Sequence, residues 1–267
     1  MDNGKIIGYL GPKGTFTHEA AIEYFDSENN FVACNKIADV FHNVNDNLFD
    51  FGVVPIENSV GGTITETIDQ FFKTQTRIYD QINISIRQAL MKSIKTSSFN
   101  RIYAHDQSFR QCSLYLNRKY PTVELIETTS NAKAALLSSE TENSASIGPE
   151  ICAKEYNLEI MECPINDRND NETKFFIITK IPQNELKSRG MVVFSLPNKA
   201  GALHRIIKIF NSSRVNMTKI ESRPSMIKKW EYFFIVEYEI KNIKCKHEEF
   251  IKKIQHKSEF FKFLGSY

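Results

Sequence analysis

From residue 4 to about residue 180 the chain alternates short apolar runs with amphipathic stretches, and this alternation constrains the fold more than any other feature. A short apolar run bounded by turn residues closes best as a buried strand. The longer stretches between such runs carry the spacing of helices with one apolar face. Strand and helix in succession build a sheet with helices on its faces, so parallel α/β layers are expected. The spacing predicts strands at 6–10, 51–54, 82–86, 102–104, 123–126, 145–147 and 175–179, and helices at 18–25, 40–47, 66–72, 108–118, 131–138 and 149–156.

Two lobes are expected within this region. Residues 78–91 alternate, with Ile78, Ile82, Ile84 and Ile86 in phase, and predict one long strand crossing from one lobe to the other. The polar run 166–171 suits the return. The lobes then comprise about 4–78 with 167–180, and 79–166, with a cleft between them. Residues 182–189 read as a polar linker. Beyond it, strands at 191–195, 217–223, 232–238 and 260–264 and helices at 202–210 and 248–257 give βαββαβ, a ferredoxin-like unit. The expected domains are therefore 1–182 and 188–267.

A chain of 267 residues with 41% apolar content can bury a substantial core. No stretch approaches the ~20 apolar residues that span a bilayer, and residues 1–5 lead directly into a strand without the regions of a signal peptide. A soluble, cytoplasmic protein with no membrane partner is expected. Cys34, Cys112, Cys152, Cys163 and Cys245 are scattered without a close pair, which suits reduced packing residues and offers neither a disulfide framework nor a zinc site. Residues 1–187 carry 18 basic against 25 acidic residues, a net of −7, and residues 188–267 carry 16 against 7, a net of +9. In the basic part Lys244, Lys246, Lys252, Lys253 and Lys257 interleave with Phe250, Ile251 and Ile254 at helical spacing, which describes a solvated helix face and no nucleic-acid partner.

The run from Val54 to Thr63 has the composition of a site. A strand should end where Pro55 interrupts the ladder, and Asn58, Ser59 and Thr63 then place amide and hydroxyl groups around Gly61 and Gly62 before the next helix. Ligands of open α/β sheets bind where strand carboxyl ends feed such turns. An ordinary strand-to-helix loop with a capping serine or threonine fits the run equally well by itself.

A second run separates the two readings. Gly201-Ala202-Leu203 opens an apolar helix and Glu221-Ser222-Arg223-Pro224 closes the strand after it. This pair resembles the ACT domain fused to prephenate dehydratases, and Val54-Pro55-Ile56-Glu57-Asn58-Ser59 resembles the catalytic domain of the same family. Gly11-Pro12-Lys13-Gly14-Thr15-Phe16, His105-Asp106-Gln107 with Gln111-Cys112, Thr129-Ser130 and Thr173-Lys174-Phe175 match in the expected order, so the resemblance covers nearly the whole chain. It implies two α/β subdomains joined by a double crossover, like a type II periplasmic binding protein, followed by a ferredoxin-like ACT domain. It also implies conversion of prephenate to phenylpyruvate, in which carbon dioxide and water leave together. The aromatising ring takes up the electrons of the departing carboxylate, so no cofactor and no metal is expected.

The resemblance implies Thr173 as the donor to the leaving hydroxyl. A threonine is a weak acid, so this role is a positioned hydrogen bond. Asn58, Ser59, Gly62, Thr63, His105, Gln107, Ser130, Lys174 and Phe175 are the implied substrate-binding residues. Lys174 stands where the family has arginine, keeping the charge and losing the two-pronged grip on a carboxylate. His105 is followed by Asp106 in place of the family's proline, and Ser130 also reads as a helix cap. Gly201, Ala202, Leu203, Glu221, Ser222 and Arg223 are implied to bind phenylalanine as an allosteric effector in a homodimer or homotetramer, although Glu221 with Arg223 would pass elsewhere for a structural charge pair. A monofunctional enzyme is expected, since residue 4 already begins the first strand. Two alternatives stay open: an arogenate dehydratase performing the same chemistry on the aminated substrate, and a binding module that senses a small anion without chemistry.

Overall fold

The computed structural model describes residues 4–26, 28–183, 185–224, 232–241 and 243–267. The chain forms two compact units, residues 1–75 with 81–180, and residues 76–80 with 181–267. Among the described residues no helix is long and apolar enough to cross a membrane.

The first unit holds two sheets. In the first run β1 (Ile6–Leu10), α1 (Phe16–Tyr24), β2 (Asn30–Cys34), α2 (Ile37–Asn45), β3 (Phe51–Asn58), β4 (Gly62–Thr63), α3 (Thr65–Lys73) and β5 (Arg77–Ser85). The second comprises β6 (Ala89–Ser93), β7 (Arg101–His105), α4 (Asp106–Gln111), α5 (Ser113–Lys119), β8 (Glu124–Thr128), α6 (Asn131–Glu140), β9 (Ser144–Gly148), α7 (Ile151–Tyr156) and β10 (Leu158–Glu162). β11 (Glu172–Thr179) then returns to the first sheet. The strand orders are β2-β1-β3-β11-β5, with β4 beside β3, and β10-β6-β9-β7-β8.

Both sheets are mixed, where parallel layers were expected. β1 pairs in parallel with β2 and β3, but the returning β11 runs antiparallel to β3. β7 is parallel to β8 and β9, while β6 is antiparallel to β9 and β10. A double crossover imposes this, because a strand that re-enters its sheet from a second lobe arrives from the opposite end. The chain leaves the first sheet at Ser85 and enters the second at Ala89, so the long strand expected over 78–91 is two strands, and the change of sheet falls at residues 86–88.

The elements form for reasons visible in the residues. Ile37, Val40, Phe41 and Val44 of α2 repeat at the helical period and are all buried. β3 is buried without a break from Phe51 to Ile56 because it lies between two neighbours and is covered on both faces. Burying each such aliphatic or aromatic side chain stabilises the fold by about 1.5–3 kcal/mol. Phe41 meets Phe71 edge-on at 4.9 Å between centroids, tying α2 to α3.

Pro55 does not end the strand. β3 continues to Asn58 because the ladder to β1 stops at Val53, and the partner strand shifts register between Lys174 and Phe175, opposite Pro55. The missing N–H thus falls where no regular ladder needs it. The single helix expected over 108–118 is broken at Cys112 into α4 and α5. β2 and β10, two of the edge strands, were not among the strands expected from the sequence.

In the second unit β12 (Arg189–Ser195), α8 (Ala202–Ser212), β13 (Met217–Pro224), β14 (Tyr232–Glu239), α9 (His247–Gln255) and β15 (Phe260–Ser266) follow the expected βαββαβ order. The antiparallel sheet runs β13-β14-β12-β15, the ferredoxin-like arrangement. Phe210 of α8 and Phe250 of α9 meet edge-on at 5.0 Å above Val192, Phe194 and Val236. Phe250 and Ile254 face this core, while Lys252 and Lys253 are exposed on the other side of α9.

Candidate active site

In the first unit the polar residues singled out in the sequence gather at strand carboxyl ends. β3 ends at Asn58, β7 at His105 and β8 at Thr128 just before Ser130. The carboxyl edges of the two sheets meet. The loop after β1 presents Gly14, whose carbonyl accepts from Cys152 Sγ of α7 at 2.9 Å, and the Lys13 carbonyl accepts from Tyr156 Oη at 2.8 Å. Lys13 Nζ lies 2.6 Å from Glu155. This contact demands glycine at position 14: φ is +88°, and an added Cβ would stand 2.9 Å from the Tyr156 ring and 3.2 Å from Cys152 Sγ.

At the first sheet's corner Asn58 is the hub. Its Oδ1 accepts the N–H groups of Val60 at 3.0 Å and Gly61 at 2.8 Å. Its Nδ2 donates to Thr173 Oγ1 at 2.8 Å, to Asn171 Oδ1 at 2.8 Å and to the Glu172 carbonyl at 3.2 Å. Ser59 closes the corner, exchanging backbone and side-chain bonds with Glu172 at 2.8 and 3.0 Å. Asn58 and Ser59, which the sequence resemblance assigned to substrate binding, hold the start of β11 through these bonds. Gly62 and Thr63 form the short β4 beside them, Gly62 exposed and Thr63 half-buried.

Thr173 is 8% exposed, and its oxygen is taken by an incoming N–H, so its own proton is left to point elsewhere. Lys174, one residue on along the strand, lies 3.6 Å from Glu57 of β3 in an ion pair. Phe175 is 1% exposed and belongs to the core, so it supports the strand from behind instead of lining a site.

The second sheet contributes its own cluster. His105 caps α4, its Nδ1 accepting from the Gln107 N–H at 3.3 Å, and Gln107 is exposed. Ser130 caps α6, accepting from the Lys133 N–H at 3.1 Å. Asn131, which the sequence reading did not single out, joins the two loops: its Oδ1 accepts from the His105 N–H and from Ser108 Oγ, each at 3.0 Å.

Two further residues emerge only in three dimensions. Asn171 is 4% exposed and its Nδ2 has no hydrogen-bond partner among the described residues, a deficit of roughly 1–3 kcal/mol. Gln88, on the crossover from β5 to β6, donates through Nε2 to Gln111 Oε1 at 3.0 Å, and its buried Oε1 is also unmatched among those residues. The outward and return crossovers are tied together by Asn166, whose side-chain amide donates to the Ile86 carbonyl at 2.9 Å and accepts from the Gln88 N–H at 2.7 Å.

The titratable groups near the lobe contact are shifted by burial. Glu19 of α1 is raised to about 7 by burial, reinforced by the charges of Glu150 and Glu23 and opposed by Arg87. Burial pushes the Cys152 thiol up to about 12, which leaves it inert as a nucleophile. Among the described residues no three His, Cys, Asp or Glu side chains are grouped to hold a metal ion.

In the second unit Gly201 caps α8 at φ +78°, and an added Cβ would meet only an Arg205 nitrogen at 3.6 Å. Glycine is required there by the backbone conformation and not, within one chain, by crowding. Ala202 is buried and Leu203 packs against the core. Glu221, Ser222 and Arg223 lie on edge strand β13, and Lys219 Nζ stands 3.8 Å from Glu221. Because β12 and β13 are both antiparallel to β14, their carboxyl ends point the same way, which puts Gly201 and Arg223 at one end of the sheet.

The family model for prephenate dehydratase matches residues 7–183. A bifunctional chorismate mutase/prephenate dehydratase of Aquifex aeolicus is 36% identical over 98% of this chain and 73% of its own. A prephenate dehydratase of Methanocaldococcus jannaschii is 32% identical over 98% of both chains. A crystal structure of the Arthrobacter aurescens prephenate dehydratase in complex with L-Phe superposes with a TM-score of 0.85 at 27% identity, covering 97% of this chain and 89% of that one. The fold, the family match and the extent of these likenesses converge: the chain belongs to the prephenate dehydratase family, enzymes of phenylalanine biosynthesis.

Proposed function

We propose that this prephenate dehydratase works by using Thr173 to donate a hydrogen bond to the ring hydroxyl of prephenate as it departs. As the ring carboxylate leaves as carbon dioxide, its bonding pair enters the ring. The opposite C–O bond breaks, and the oxygen departs as hydroxide with the bonding pair, takes up one proton from solvent and becomes water. Aromatisation drives both cleavages, so the protein's task is to hold the dianion and to stabilise charge growing on one oxygen. The observation that carries this reading is the 2.8 Å bond from Asn58 to Thr173 Oγ1, which uses the hydroxyl as an acceptor and leaves its proton for another oxygen. His105, Gln107 and Ser130, at the facing carboxyl edge, are the proposed contacts to the substrate carboxylates, with Ser130 presenting the N-terminus of α6. Lys174 has Glu57 as its ion-pair partner and contributes charge from one side.

Residues 1–182 form the proposed catalytic domain and residues 188–267 an ACT domain that binds phenylalanine and lowers activity. The Arthrobacter relative that carries L-Phe supports this reading, as does the place of β13 at the end of the strand order among the described residues, where an edge suits pairing with a second copy in a homodimer or homotetramer. The test is incubation of the purified protein with prephenate, following phenylpyruvate with and without phenylalanine, and with arogenate in parallel. No phenylpyruvate from prephenate would overturn the catalytic reading, and a rate indifferent to phenylalanine would overturn the regulatory one.

A further inference from the structure

We propose that Asn171 is a positioning residue for the dehydration: by holding the side-chain amide of Asn58, it sets the direction in which the Thr173 hydroxyl offers its proton. The inference rests on the reading of Thr173 as the donor to the leaving oxygen.

The geometry runs through three side chains. A primary amide nitrogen has two hydrogens, and Asn58 Nδ2 directs them toward Thr173 Oγ1 and Asn171 Oδ1, both at 2.8 Å. The other end of the same amide is pinned by the N–H groups of Val60 and Gly61. Asn58 therefore has one orientation, and the Asn171 oxygen draws one of its two N–H groups so that the other is left for Thr173. A reversed Asn171 amide would set two N–H groups against each other. The cost of the chosen orientation is visible: Asn171 gives its only side-chain carbonyl to Asn58 and keeps its own Nδ2 buried and unmatched among the described residues. An asparagine that served only to fill the turn before β11 has no need to carry that deficit. Asn171 is itself held at the crossover, where its backbone carbonyl accepts from the Ile86 N–H at 2.8 Å and its Oδ1 also receives Ser59 Oγ at 3.4 Å. Without the Asn171 oxygen, Val60, Gly61 and the Glu172 carbonyl still hold the Asn58 amide, but its two N–H groups are no longer divided between Thr173 and a 2.8 Å partner. The N–H that met Asn171 can shift to the Glu172 carbonyl, and the bond that fixes the Thr173 hydroxyl loosens.

The experiment is a double-mutant cycle with kcat and KM measured for the parent, Asn171→Leu, Thr173→Val and the double variant. Asn171→Leu is expected to lower kcat about 10–100-fold with KM within about threefold, and to change kcat less than about threefold when Thr173 is already valine, because the two act as one unit. Asn171→Asp, which keeps an oxygen facing Asn58, should recover most of the parent kcat. An equal loss from Asn171→Leu in both backgrounds marks a structural role and overturns the proposal. So does a raised KM with unchanged kcat, which marks direct substrate contact. If Asn171→Leu does not fold, Asn171→Ala carries the same cycle without added bulk. Thr173→Val near the parent rate would bring down the reading of Thr173 itself, whereas a slow Thr173→Val beside a parent-like Asn171→Leu would bring down the role of Asn171 alone.

Discussion

Asn58 donates its side-chain N–H to the hydroxyl oxygen of Thr173 at 2.8 Å, across the antiparallel register that pairs these residues on β3 and β11. This relationship joins residues 115 positions apart and constrains the direction of the Thr173 hydroxyl. The incoming N–H takes one lone pair of the Thr173 oxygen and leaves its proton for another acceptor.

Thr173→Val keeps the side chain's shape and removes the donor. Turnover should fall by about 10²–10³ with the fold intact, as for loss of one preorganised donor. Steady-state kinetics beside circular dichroism checks this, and a folded variant within a few-fold of the parent rate would show that another group, His105 first, serves the leaving oxygen.

Asn58→Asp is nearly isosteric and reverses one bond. The carboxylate keeps the contacts with the Val60 and Gly61 N–H groups, gives up the bond to the Glu172 carbonyl, can take an N–H from Asn171 once that amide turns over, and turns the Thr173 proton toward itself. We expect a melting temperature close to the parent's with kcat reduced about as far as in Thr173→Val. Full activity in Asn58→Asp would disprove the directional argument.

Gly14→Ala should weaken the contact between the carboxyl edges of the two sheets. The position combines φ +88° with a Cβ 2.9 Å from the Tyr156 ring, so a cost of about 1–3 kcal/mol is expected. Urea unfolding measures the loss, and a higher KM for prephenate would report disturbed alignment of the two edges. An unchanged midpoint is the contrary result.

Glu19 makes stability pH-dependent. Its folded value of about 7 stands above the 4.5 of an unperturbed glutamate, so the folded state binds a proton that the unfolded state has released. Stability is therefore full below about pH 4.5 and declines as pH rises through about 7. Discounting for partial exposure, the loss is about 1–2 kcal/mol. Glu19→Gln should flatten this part of the pH profile and raise the melting temperature at pH 8, and a parent-like slope in the variant would assign the dependence to another group.

Gly201→Val should remove the proposed phenylalanine response while leaving basal turnover near the parent's. A β-branched residue at φ +78° distorts the start of α8. Calorimetry with phenylalanine and rate measurements with and without it form the test, and intact inhibition in a folded variant would move the effector site elsewhere.

The sequence by itself determined the order of elements wherever burial was deep. The helical spacing of Val40, Phe41 and Val44 and the apolar core of β11 could be read without coordinates, because a side chain that must leave water imposes its period on the residues around it. The βαββαβ order of residues 188–267 was legible for the same reason. The motif runs also named Thr173, Asn58 and His105 as polar groups at turns. Tertiary structure alone decided how those groups are used. The pairing of β2 and β10 at the sheet edges came only from the structure, and Pro55 remains within β3 where a register shift in β11 lies opposite it. Asn171 looked like one polar residue of the return loop until the antiparallel pairing of β3 with β11 brought it to Asn58. Hydrogen bonds between distant residues depend on distance and direction in space, and neither is written in the period of a single segment.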